Sequence, residues 1–184
     1  MGSFDEFFKS SSDRSAVDPL VNVRLAGPED QERVQAYFCS LSLQARYCRF
    51  AGGMRKLPPS VLEHFVAEAR ADLLTILVTI MQGGQETVVG EARYVLAADA
   101  ARGELALSVH DRWQGRGIGQ AMVTRLERHA VVCGVRHVFG ETLSSNDRIC
   151  RLAQLFGYVP ATPMGGELLR FEKALPTARR RGDL

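Results

Sequence analysis

The stretch "RWQGRGIGQAM", residues 112–122, sets Gly115, Gly117 and Gly119 between a Trp-Gln pair and an apolar run. Glycine at alternate positions weakens any regular element, because it costs backbone entropy and brings no side chain to pack. Just upstream, "GELALSVH" (103–110) alternates as a strand does. Just downstream, Ile118, Met122, Leu126 and Cys133 mark a helix from Gly117 to Cys133, ended by Gly134. The glycines therefore sit where a strand hands over to a helix. A helix N-terminus at that point offers unpaired backbone N–H groups to an anion, and glycines let a phosphate come close. A tight turn that merely needs positive φ is the plainer alternative.

Two phosphate motifs are excluded by single residues. The dinucleotide pattern G-x-G-x-x-G requires a glycine where this chain has Gln120, and no G-K-[ST] follows a glycine to make a Walker loop. What remains is Q-x-x-G-x-G, filled by Gln114, Gly117 and Gly119.

The rest of the chain supplies a mixed sheet. "VNVRLA" (21–26) reads as a strand, and "GPEDQERVQAYFCSLS" (27–42) as a helix with Pro28, Glu29 and Asp30 in its first turn. "LPPSVLEHFVAEARADLL" (57–74) predicts a second helix, with Ser60 and Glu63 as a capping box. "TILVTIMQ" and "ETVVGEARYVLA" predict a hairpin across Gly83-Gly84. "RHVFGETL" (136–143), "SNDRICRLAQLFG" (145–157) and "ELLRFEKAL" (167–175) follow as strand, helix and strand. Hairpin strands first and a strand–helix–strand–helix–strand unit later predict an α/β (α+β) domain over residues 19–175. Residues 1–18 lack periodicity and read as a mobile arm, and 176–184 as a basic, solvated tail.

Composition narrows the function classes. A net charge of +2 over 184 residues is too small for a nucleic-acid surface. The longest apolar run, "LLTILVTIM" (73–81), is about half a membrane span, and the N-terminus has no signal-peptide core. Cys39, Cys48, Cys133 and Cys150 show no paired spacing, which predicts reduced thiols in a cytoplasm. The four histidines show no metal-ligand spacing, so no metal is expected.

The Q-x-x-G-x-G loop resembles motif A of the Gcn5-related N-acetyltransferases, the GNAT superfamily, which bind the pyrophosphate of acetyl-coenzyme A there. "GELALSV" is similar to that fold's fourth strand, and "NDRICRLAQLFGY" to its N-x-x-A-x-x-L-Y-x-x-x-G-F helix, with Asn146, Leu152, Gly157 and Tyr158 in place. "LSLQARYCRF" (41–50), "VGEARYV" and "ELALSVHDRWQGRGIG" resemble the catalytic domain of bacterial Pat-type protein lysine acetyltransferases, with Ala45 replacing the usual serine. The resemblance implies a central, mostly antiparallel mixed sheet flanked by helices. Its fourth and fifth strands would splay to hold acyl-CoA.

It also implies the site. Leu107, Ser108, Val109, Gln114, Gly115, Arg116, Gly117, Ile118, Gly119, Gln120 and Asn146 would contact acetyl-CoA, with the Val109 N–H polarising the thioester carbonyl. Gln114 can bond phosphate or staple the loop, and Arg116 can add a charged contact or stay solvated. Period-2 alternation puts Glu104, Ala106 and Ser108 on one face of their strand, and Leu105, Leu107 and Val109 on the other. A charge in such a strand is either solvent-facing or used, and by resemblance Glu104 is the general base that takes the proton of an amine acceptor. Seven residues after Asn146, where many family members carry a tyrosine acid, this chain has Ala153, as Pat-type enzymes often do. The expected reaction is acetyl transfer to a primary amine, a protein lysine ahead of a small molecule. A non-catalytic acyl-CoA sensor is the alternative.

Overall fold

Ten residues without a single charge, Leu73–Gln82, form β2, and its first eight are buried. A strand covered on both faces reads as a continuous apolar run, which is why "LLTILVTI" does not alternate. Gly83 and Gly84 turn the chain with φ of 58° and 79°, and β3 (Gln85–Leu96) returns antiparallel, starting from the pair Gln82↔Gln85. β1 (Asn22–Leu25) lines the other edge of β2, and β4 (Arg102–Val109) the other edge of β3, both antiparallel. The structure, a computed structural model, describes residues 21–50, 54–98, 101–161 and 167–176. The expected arm at 1–18 and nearly all of the expected tail lie outside them.

The helix following β4, here α4 (Ile118–Val132), carries the chain across to β5 (His137–Leu143), whose pairing with β4 is the one parallel pairing among the described strands. β7 (Leu168–Ala174) then pairs antiparallel with β5, and a two-residue edge, β6 (Val159–Pro160), pairs with β7. The seven strands lie in the order β1-β2-β3-β4-β5-β7-β6. This is the mixed sheet that the order of elements predicts, mostly antiparallel as the family resemblance implies.

Each face of the sheet has its own core. On one, Ile118, Met122 and Leu126 of α4 pack on Ile76, Val78, Tyr94 and Leu105, with Leu152 of α5 (Asp147–Leu155) alongside. On the other, Val34, Tyr37 and Phe38 of α1 (Gln31–Ser40) pack with Phe65, Leu77 and Val88.

Two expectations are corrected on that second face. The helix predicted over 57–74 is α3 (Pro59–Phe65), seven residues long, and no side chain caps it. Ser60 lies inside the helix, so it forms no capping box with Glu63. Beyond Val66 the chain turns through reciprocal bonds between Arg70 and Leu73, and Leu73 and Leu74 are drawn into β2 instead. A further helix, α2 (Leu43–Phe50), has no buried residue to betray it by periodicity. Ser42 starts it, its Oγ accepting from the Ala45 N–H at 3.2 Å.

Candidate active site

β4 and β5 are joined over three pairs only, Arg102↔His137, Gly103↔Val138 and Glu104↔Phe139. Beyond Glu104 the two strands part, and a wedge opens towards the start of α4. The Ala97 N–H donates to the Arg102 carbonyl and the His110 N–H to the Val89 carbonyl, so the even-numbered residues of β4 spend their backbone groups on β3. The odd residues Leu105, Leu107 and Val109 therefore turn theirs towards the wedge. A Cβ built on Gly140 of β5 would meet the Leu105 oxygen at 2.9 Å, which places that carbonyl on the β5 side.

Of the three β4 residues expected to contact acetyl-CoA, Leu107 and Val109 thus present backbone to the wedge and Ser108 does not. Ser108 pairs with Glu91 of β3, and its hydroxyl is buried.

The mouth of the wedge is the glycine loop. Gly115 and Gly117 adopt φ of 76° and 78°, a left-handed backbone that L side chains rarely enter. Gly117 is the N-cap of α4. A glycine cap has no side chain to offer, so the N–H groups of Ile118, Gly119 and Gln120 are left for a ligand. Gly119 serves differently: its Cβ would meet Leu152 Cδ2 of α5 at 3.2 Å. What the backbone approaches at Gly119 is thus another helix, while the two earlier glycines make the turn.

Around this loop the side chains are tied back. Gln114 Nε2 donates to the Val109 carbonyl at 2.9 Å, the stapling role of its two expected ones. The Arg116 guanidinium lies 4.4 Å from the centre of the Trp113 ring. Ile118 is buried in the core and Gln120 is exposed. Asn146 caps α5, its Oδ1 accepting from the Ile149 N–H, and its Nδ2 donates to Thr142 Oγ1 of β5. Ala153 sits part-buried against the main core.

Glu104 is exposed at the closed end of the wedge, on the sheet face that carries α1, α2 and α3. Next along that face comes a buried polar network that sequence reasoning missed. Glu91, 1% exposed, accepts from the Ser108 hydroxyl at 2.7 Å and from Arg49 Nε of α2 at 2.8 Å. The Tyr37 hydroxyl lies 2.9 Å from Ser108 Oγ. Burial, with the Glu91 charge close by, pushes the Tyr37 phenol far above its ordinary range, so it stays a hydrogen-bond donor. The available signal was the alternation of Glu91 and Arg93 inside the run from Val88 to Leu96, which otherwise carries no charge.

The match to known proteins covers most of this architecture. The family model described as the acetyltransferase (GNAT) family matches residues 42–158. Acetyltransferase PA5475 of Pseudomonas aeruginosa is 24% identical over 139 residues, 76% of this chain and 75% of that protein. Acetyltransferase Pat of Mycolicibacterium smegmatis is 29% identical over 133 residues, 72% of this chain but 39% of the longer relative. Among solved structures, the GNAT domain of S. lividans PAT superposes with a TM-score of 0.77 and 24% identity, over 84% of this chain and 90% of that one. YncA, a putative acetyltransferase from Salmonella typhimurium solved with acetyl-CoA, does so with a TM-score of 0.68 and 16% identity, over 90% and 99%.

Proposed function

The chain belongs to the acetyltransferase (GNAT) family, and from that premise we propose that it moves an acetyl group from acetyl-CoA to a protein lysine in the cytoplasm, with Glu104 as general base. The observation that carries this reading is the wedge itself. Its walls are backbone, its mouth is the N-terminus of a helix, and a carboxylate stands at its closed end.

The residues fit acetyl-CoA part by part. The N–H groups of Ile118, Gly119 and Gln120 and the positive end of α4 suit a pyrophosphate, each anion gaining about 0.3–2 kcal/mol from a helix terminus. The outward backbone groups of Leu107 and Val109 suit the amides of the pantetheine arm. Acetyl-CoA supplies an activated acyl carbon. Val109 lies five residues from Glu104, about 16 Å along the strand, so its N–H suits the part of the arm nearer the loop, and in place of the expected Val109 the outward Leu107 N–H is the donor suited to a thioester oxygen near Glu104.

A lysine amine must lose its proton before it attacks, against an ordinary pKa of about 10.4. Glu104 accepts that proton, directly or through a water, and its exposure keeps it in reach of an acceptor arriving from solvent. The sequence resemblance to Pat-type enzymes supports a lysine of another protein as the acceptor, as does the structural likeness to a PAT domain.

The test is thiol release from acetyl-CoA with lysine peptides, host protein extract and small amines, followed by mass spectrometry of the extract. Acetyl groups on lysine side chains are expected. Acetylation of small amines with none on protein overturns the lysine reading, and no transfer to any amine overturns the enzyme reading.

A further inference from the structure

Arg93 occupies the face of β3 that looks onto Glu104. The register pairs Glu91↔Ser108, Arg93↔Ala106 and Val95↔Glu104 make Arg93 a diagonal neighbour of both Glu104 and Ser108. Its guanidinium lies 4.6 Å from the centre of the Phe65 ring, and Arg49 stands over the same ring at 5.8 Å. The two arginines differ in one respect. Arg49 is neutralised by Glu91, whereas Arg93 has no ion pair or hydrogen bond among the described residues, and its Nε is sealed from solvent without a partner. Part of the side chain remains open to solvent.

A half-buried guanidinium without a counter-ion is costly. Burial first, and then the nearby Arg49 charge, work against its protonated form, and the Glu91 and Glu104 charges, neither of them in contact with it, offset this only in part. The Arg93 charge rests against the Phe65 ring, a cation–π contact worth about 0.5–2 kcal/mol. A planar fork of donors beside an aromatic ring suits a carboxylate, which it can hold by two parallel bonds. Glu104, one diagonal step away, suits an ammonium. Their backbone positions lie about 7–8 Å apart, the ordinary diagonal spacing on a sheet, so one positive and one negative side chain rise from the same face.

We propose that Arg93 is a specificity-determining residue of the acceptor site, and that it receives a carboxylate carried by the acceptor near its amine. This rests on the reading that the acceptor approaches Glu104. In a protein the carboxylate is an Asp or Glu side chain beside the target lysine. In a small molecule it is the acid group of an amino acid.

The experiment compares kcat/KM within each protein for two matched pairs. One is a lysine peptide with Glu beside the lysine against the same peptide with Gln. The other is 6-aminohexanoate against hexylamine. The native chain should favour the acidic member of a pair about tenfold or more, through KM, as expected for a charge-assisted bidentate bond. Arg93→Gln should bring the ratio to about one, Arg93→Lys should keep part of it, and salt should shrink it in the native chain. A ratio near one in the native chain overturns the proposal. So does a ratio that survives Arg93→Gln while all rates fall together, since that marks a structural role. If Arg93→Gln does not fold, the Arg93→Lys ratio and the salt series decide. Discrimination in the small-amine pair with no peptide acetylated supports Arg93 and removes the lysine reading. Transfer to none of the four amines overturns both.

Discussion

The side-chain amide of Gln114 donates to the main-chain carbonyl of Val109 across 2.9 Å, tying the glycine loop to the last residue of β4. One bond thus fixes the mouth of the wedge relative to its wall.

Gln114→Glu keeps the shape of the side chain and removes that donor. A net hydrogen bond is worth about 0.5–1.5 kcal/mol, so KM for acetyl-CoA should rise by about 2–12-fold. The added negative charge near the pyrophosphate site pushes further the same way, and Gln114→Ala separates the two effects. Steady-state kinetics at saturating acceptor measures both. An unchanged KM in Gln114→Ala shows that the loop holds its shape without the staple.

Glu104→Gln leaves the strand intact and removes only a proton acceptor. Turnover should fall by about 10²–10⁴-fold at neutral pH while acetyl-CoA still binds. Raising the pH should recover part of the loss, because more amine is then deprotonated in solution. Native turnover in this variant removes Glu104 from the mechanism. A rise in acceptor KM alone makes it a binding group for the ammonium.

Gly117 and Gly119 should respond in two ways. Gly117→Ala forces a Cβ into left-handed backbone, at a cost of about 1–2 kcal/mol. Gly119→Ala needs only a small shift of the flexible Leu152 tip, and alanine is the better helix former by about 1 kcal/mol, so stability should hardly change. Gly119→Val overfills the contact and should lose about 1–3 kcal/mol. Urea midpoints of the three variants rank them.

Asp30 predicts the acid limb of stability. It is fully buried, with Arg24 Nη1 at 2.6 Å and Arg33 Nη1 at 3.0 Å. Burial alone would raise its carboxyl pKa, but the bonds from Arg24, the Gly27 N–H and Arg33 hold it below the ordinary 3.8. A group depressed in the folded state contributes its stability above the unfolded pKa and loses it as pH falls through the folded one. Native stability should therefore drop as pH falls below about 4, where the unfolded chain begins to take up a proton that Asp30 refuses. Asp30→Asn should lose about 3 kcal/mol at neutral pH, the low end for a broken buried pair because Arg24 keeps Glu86 at 2.8 Å. Its acid limb should also be flatter, as denaturant melts across pH 2–7 would record.

The β2–β3 hairpin, the β4–loop–α4 passage and α5 were legible in the sequence because local signals and packing agree there. Gly83-Gly84 matches the hairpin turn, and Asn146 really caps α5. The segment after Phe65 misled because "VAEARADLL" has good helix propensity, whereas Leu73 and Leu74 gain more from burial in β2. α2 carries no buried stripe, since Arg49 and Phe50 anchor it through an ion pair and a ring contact with Phe38 at 5.0 Å. The candidate site divides in the same manner. Its loop is a short-range pattern, but the Tyr37–Ser108–Glu91–Arg49 network joins four elements that only the folded chain brings together. Arg93 escaped for the same reason, because an unmatched charge is visible only once its neighbours are known.

The three-pair seam between β4 and β5 has a mechanical meaning. It joins a four-stranded slab, β1 to β4, to a three-stranded slab made of β5, β7 and β6, and it lies at one end of both strands. Away from the seam the slabs are coupled through α2, which packs on both β4 and β5, through α4, and through whatever fills the wedge between them. A molecule that pairs with β4 along that gap acts as a splint, replacing the ladder the two strands do not make. Amide exchange along β5 beyond Phe139 should then slow when acetyl-CoA is added, and by more than in β2. The cofactor groove would be the place where the sheet is completed from outside the chain.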